Sequence, residues 1–164
     1  MTDFNFTELV NSPHADIISA ALGATAGLFS DTDVGQAVKM GVASDYVQAV
    51  DGDELEGFVT SVEVVTVNAG MSFGSVQRNM RVVAQVASNE GGTMAVGDFV
   101  VVGTPIALGT ANGKPQVKIG VAASQLTSAN YTYTEKTPNN HMWKCIRLVS
   151  GTGVAGDSVL LERE

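Results

Sequence analysis

A chain of 164 residues and 17.0 kDa is the size of one domain, or of one domain with an arm, and it buries about 70% of its unfolded surface without any covalent staple. Its one Cys excludes an intrachain disulfide framework and a Cys-rich zinc site. With 9 Lys+Arg against 17 Asp+Glu the formal net charge is −8, so phosphate repels the chain, and neither nucleic acid nor a membrane surface is expected as a partner.

Val (24), Gly (18) and a charged fraction of only 16% favour strands and tight turns over solvated helices. The first ten residues are acidic where a signal peptide is basic, and the apolar stretch 17–29 is broken by Ser19, Gly23, Thr25 and Gly27. The expectation is a protein made in the cytoplasm and reduced there.

Residues 1–30 read as an arm, Ala-rich and Gly-punctuated, with no alternation. Ser12-Pro13 can start a helix, with Ser as N-cap, Pro at the first position and Asp16 near the positive end of the dipole; a short helix over 15–22, stopped by Gly23, is expected. The arm carries Phe4, Phe6, Leu9, Ile17, Ile18, Leu22, Leu28 and Phe29, yet its Gly and Ala give it little means of building a core alone. These eight are the candidate contacts to a neighbouring protomer or a partner.

From residue 31 the pattern is strand and turn. Strands are expected over 34–40, 45–50, 57–67, 75–87, 99–102, 116–123, 131–134, 142–149 and 158–162. Asp51-Gly52, Asn68-Ala69-Gly70, 89–92, Asn112-Gly113, 137–140 and 151–156 separate them, rich in residues that accept φ > 0. Short strands so regularly spaced predict an all-β fold, a small barrel-like or sandwich body of antiparallel strands spanning 31–164. One form recurs three times: Val34-Gly35-Gln36-Ala37-Val38, Val96-Gly97-Asp98-Phe99-Val100 and Ala155-Gly156-Asp157-Ser158-Val159. Each reads as a glycine turn leading into a strand.

Four motifs invite a chemical reading. Gly70-Met71-Ser72-Phe73-Gly74 matches G-x-S-x-G, but a hydrolase elbow needs a parallel sheet and a following helix, and only His14 and His141 could serve as bases. Ala37-Val38-Lys39-Met40 is similar to the lysine hairpin of biotin carrier domains, with Val and Gln36 at departing positions. His141, Trp143 and Cys145 share one strand face, which reads as a buried patch because further metal ligands are lacking. Asp51-Gly52-Asp53-Glu54-Leu55-Glu56 lacks the order of a calcium loop and reads as a solvated hairpin tip. No catalytic, cofactor-binding or metal residue is therefore expected, and a binding or structural module fits better than an enzyme.

The middle of the chain resembles tailed-phage head decoration (capsid cement) proteins. The resemblance rests on residues 50–63, on 73–78 leading into a Val-rich strand, on Val96-Gly97-Asp98-Phe99-Val100 and on Ile119-Gly120-Val121-Ala122, and it covers roughly residues 33–123. It implies a homotrimer on the outer surface of an icosahedral bacteriophage capsid, a virion protein that clamps neighbouring copies of the major capsid protein and stabilises the head. The alternative is a tail, fibre-base or adhesin β-domain. A serine hydrolase using Ser72 comes third.

Overall fold

The computed structural model describes residues 17–23, 29–63, 72–90, 92–110, 114–121 and 142–163. Among them the protein is all-β, with a single 3-10 turn at Asp31–Asp33 as its helical piece. Strands β1 (Ile17–Leu22), β2 (Ala37–Met40), β3 (Tyr46–Gln48), β4 (Gly57–Val62) and β5 (Ser72–Gln77) close a barrel in the order β1-β3-β2-β4-β5. Strands β6 (Met80–Val86), β7 (Phe99–Val102), β8 (Gln116–Val121), β9 (Lys144–Leu148) and β10 (Ser158–Arg163) close a second, in the order β10-β6-β8-β7-β9.

The two barrels have one topology. In each, the first strand pairs antiparallel with the fifth and parallel with the third, while the second pairs with the third and fourth, and the fourth with the fifth. The parallel contact of Leu22 with Tyr46 corresponds to that of Val86 with Val117. Each fourth strand carries a one-residue bulge at the same place, Thr60 in β4 and Ile146 in β9. Register then equates Gly57 and Phe58 of the first barrel with Trp143 and Lys144 of the second.

The recurrent glycine form is a type II turn, in which the third residue must take φ > 0. Gly35 (φ 96), Gly97 (φ 100) and Gly156 (φ 91) occupy that position ahead of β2, β7 and β10. In each turn the glycine N–H donates to a carbonyl on a facing strand, whose own N–H donates back to the residue after the glycine; Gly97 to Cys145 O (2.7 Å) and Cys145 to Asp98 O (2.8 Å) is one example. The Asp carboxylate then accepts the N–H three residues upstream, from Ala95 to Asp98 at 2.7 Å and from Val154 to Asp157 at 3.1 Å. A fourth copy, Val50-Asp51-Gly52-Asp53, has the same bonds, but its facing strand belongs to the other barrel. Gly52 N–H donates to Val102 O (2.8 Å) and Val102 N–H to Asp53 O (3.0 Å).

Strand parity divides the apolar residues between two cores. Val38, Tyr46, Val59, Val76, Leu22 and Phe29 fill the first barrel. Their sequence neighbours Ala37 and Phe58 face outward and join Ala49 and Leu55 in the core of the second barrel, with Val82, Val100, Trp143 and Leu161. Phe58 meets Trp143 edge to face, with centroids 4.9 Å apart and planes at 74°.

Several expectations are corrected. The helix over 15–22 is strand β1 from Ile17 on: β-branched Ile17 and Ile18 open it, and Ile18, Ala20 and Leu22 alternate into the first core. The single strand over 75–87 is two, the last stave of one barrel and the first of the next, broken at Arg78-Asn79, where Gln77 Nε2 bonds Asn79 O (2.8 Å). The antiparallel body contains one parallel contact per barrel. The expected strand over 131–134, the turns at 68–70 and 137–140, and the ends of the strands over 57–67 and 116–123 lie outside the described residues.

Two substitutions test this architecture by urea unfolding. Gly52→Ala meets open space and costs only the positive-φ strain, about 1–2 kcal/mol, whereas Gly153→Ala also forces a Cβ into the Met94 carbonyl and costs more. Phe58→Ala costs about 3–5 kcal/mol and shifts the emission of Trp143, the only Trp, to longer wavelength.

Candidate functional site

Ser72 opens β5 and is buried, its Oγ donating to the Phe29 carbonyl at 2.9 Å. Residues 73–77 continue the same strand, so the helix that a nucleophile elbow requires after its serine is not there. Gly74 has a packing reason: a Cβ would overlap the Ser61 carbonyl on β4 and the Leu22 side chain on β1. His14 and His141 lie outside the described residues.

Trp143 and Cys145 are both fully buried in the second core, as their shared face suggests. Burial pushes the Cys145 thiol above its ordinary pKa, which keeps it protonated and unreactive. Lys39, the residue at the carrier-like position, pairs with Asp53 at 2.6 Å. Among the described residues no group of three or more His, Cys, Asp or Glu could hold a metal ion, and no helix is long and apolar enough to cross a membrane.

The acidic run 51–56 is exposed at Asp51, Gly52 and Glu54, as expected of a tip, but it is also anchored. It is the loop between β3 and β4 of the first barrel, and it meets the second barrel through charge as well as backbone. Asp51 accepts from Lys118 Nζ (2.8 Å) and Asn89 Nδ2 (2.7 Å), both on the second barrel's side, while Asp53 holds Lys39 of β2. Arg163 at the end of β10 reaches back to Glu56 O (2.6 Å). The signal for this role was the Gly52-Asp53 pair, the same Gly-Asp step seen at 97–98 and 156–157.

Of the eight candidate contacts, Phe4, Phe6, Leu9 and Leu28 lie outside the described residues. Leu22 and Phe29 are buried in the chain's own first core, so they are not surface contacts, and Ile18 packs against that core. Ile17 alone is open, at 47% exposure. It stands at the edge of an outward sheet face that the sequence did not reveal, because the expected strand began only at residue 75 whereas β5 begins at Ser72. Cross-strand pairing sets that face in rows: Ser19, Ser75 and Ser61 across β1, β5 and β4, then Ala21, Phe73 (39% exposed) and exposed Glu63, whose N–H donates to Phe73 O at 2.7 Å. The row of Ile17 runs through buried Gln77 to Phe58, so the face adjoins the junction between the barrels.

No protein-family model, no curated protein and no solved structure matches the chain. The site is therefore defined by its geometry alone: an outward sheet face on the first barrel, with Ile17 and Phe73 open and Glu63 beside Phe73, next to the inter-barrel junction.

The charged β3–β4 loop and the Gly-Asp turns set an acid limit. The Lys118 hydrogen bond holds the Asp51 carboxyl below its usual pKa, and backbone N–H donors, Thr152 first, do the same for Asp157. A folded pKa below the unfolded one stabilises fully above about pH 4 and is lost as pH falls through the folded value. Stability to urea should therefore drop below pH 4, and the drop should be shallower in Asp157→Asn.

Proposed function

We propose that the chain is a structural protein of a tailed-phage head, a homotrimer that binds the outer capsid surface and cements neighbouring major capsid subunits. The observation that carries the reading is the tandem of closed barrels whose reactive-looking side chains are engaged internally: Ser72 in a backbone bond, Cys145 in the core, Asp51 and Asp53 in ion pairs of the β3–β4 loop. A closed barrel offers no strand edge for uncontrolled pairing, which suits a part displayed in many copies on one particle. The short motifs of residues 50–63, 73–78, 96–100 and 119–122 supply the resemblance, and the acidic balance suits a protein that has no business with the packaged nucleic acid.

The purified chain should decorate expanded, empty capsids at a fixed stoichiometry, read by co-sedimentation and by threefold density on the outer surface. Copurification with tails, or no binding to heads, overturns the reading. Deleting residues 2–11 stops short of β1, so both barrels should remain folded by circular dichroism, while capsid affinity falls at least tenfold. Unchanged affinity would remove the arm from the interface.

A further inference from the structure

Charge is divided unevenly between the barrels. Residues 17–77, which hold the first, carry eight Asp and Glu against Lys39 alone, a balance of −7. Residues 80–163, which hold the second, carry seven Lys and Arg against five Asp and Glu, a balance of +2. Within the chain, Lys118 and Asp51 already pair along this polarity, a second-barrel cation on a first-barrel acid at 2.8 Å. Other cations of the second barrel gather on the outward face of β6, β10 and β9. Register sets that face in rows, Arg81, Glu162 and Lys144, then Val83, Leu160 and Arg147. Ser158 and Leu160 on the central strand are buried, so the face presents Arg81, Lys144 and Arg147, all exposed, while Lys114 Nζ donates to Ser158 Oγ at 2.6 Å. Among the described residues Glu162 is the one carboxylate on this face, half-buried and paired with Arg81 at 2.9 Å. Elsewhere in the barrel Glu90, Asp98 and Asp157 turn their carboxylates onto backbone N–H groups.

We propose that this basic face of the second barrel binds the acidic first barrel of another copy of the chain. Charge complementarity names the occupant. Two first barrels, at −7 each, repel one another, and the three acids of residues 1–16 add to that repulsion. The second barrel alone has the opposite balance, so the orientation that charge favours is second barrel against first. Such a contact is heterologous, two unlike surfaces meeting head to tail, and a contact of that kind is what closes a ring of three copies. It does not repeat the junction inside the chain. Lys144 holds the register position of Phe58, the ring through which the first barrel meets the second, so the matching surface of the second barrel presents charge instead of an apolar ring. Both barrels are closed, so copies meet through side chains and not by strand addition. The inference rests on the homotrimer reading and deepens it by naming the contact.

The test is self-association of the whole chain without capsids, read by sedimentation and light scattering. Wild type should run as one multiple of 17.0 kDa in about 0.05 M NaCl, and its association should weaken about tenfold or more by about 0.5 M, where charge is screened. Lys144→Glu with Arg147→Glu should be monomeric, or weakened about tenfold or more, at the lower salt. Val42→Glu, at a fully exposed turn tip of the first barrel, should keep the wild-type mass. Circular dichroism checks that each variant is folded, and should the double reversal misfold, Lys144→Gln with Arg147→Gln carries the same expectation. Carbodiimide coupling of mixed isotope-labelled and unlabelled copies should join Lys144 to a carboxylate within residues 31–63 of the other copy, with the Lys118–Asp51 and Lys39–Asp53 pairs as controls inside one chain. A monomeric wild type, association that strengthens with salt, a folded double variant that keeps the wild-type mass, or Lys144 coupling between copies only to second-barrel acids overturns the proposal. A chain that is monomeric alone yet decorates capsids ends this proposal and leaves the capsid reading standing; an assembly that needs the face but ignores capsids does the reverse.

Discussion

The edge-to-face contact of Phe58 with Trp143 is the interaction on which the rest of the molecule depends. A five-stranded barrel this small encloses few side chains, and the first barrel fills its interior with only a handful of apolar residues. Strand alternation gives β4 a second use. Val59 points inward, Phe58 points outward, and the outward ring completes the core of the neighbour. Two closed sheets thereby share one hydrophobic cluster and behave as one body. The backbone ladder between Gly52-Asp53 and Val102 and the reach of Arg163 to Glu56 fix the orientation that the ring contact allows.

Polar groups serve the same end. Each Asp in a Gly-Asp turn folds its carboxylate back onto backbone N–H groups, so the turns are tied off without help from solvent. Some costs remain. Trp143 Nε1, Gln77 Oε1 and Tyr46 Oη are buried with no hydrogen-bond partner among the described residues, each a penalty of about 1–3 kcal/mol. Two of the three, Trp143 and Gln77, flank Phe58. The junction therefore trades hydrogen bonds for ring packing, and the large apolar cluster around it is what makes that exchange tolerable.

Much of the fold could be read from residues whose meaning is local. Val-rich alternation marked β7 to the residue and β10 to within one, and glycines at 35, 97 and 156 marked turns that do take positive φ. Features that depend on partners far away in sequence escaped. Ile17 to Leu22 carries Ala and a plausible N-cap upstream, which is helical grammar, and only pairing with β5 makes it a strand. Nothing local separates Gln77 from Met80 strongly enough to announce that one barrel ends and another begins. The duplication left almost no trace in residue identity, because closure and register constrain which way a side chain points more than which side chain it is. The outward face of the first barrel was hidden for a similar reason: a G-x-S-x-G match drew attention to Ser72, while the open residue was Phe73.

The register equivalence of the barrels has one more consequence. A duplicated module joined head to tail invites a third module to join in the same way, and then a fourth, as open-ended assemblies do. The positions equivalent to the Phe58–Trp143 contact are built differently. Where the second barrel would have to offer a ring outward it offers Lys144, its ammonium 5.9 Å from the Phe99 ring centroid, and where the first barrel would have to receive one it has Gly57 in place of Trp143. A lysine in the ring's place would bring a charge to a position where Gly57 leaves no room for a side chain, a Cβ there meeting the Gln77 carbonyl. The ring contact that joins the two barrels is thus made once, and the residues at its equivalent positions do not repeat it.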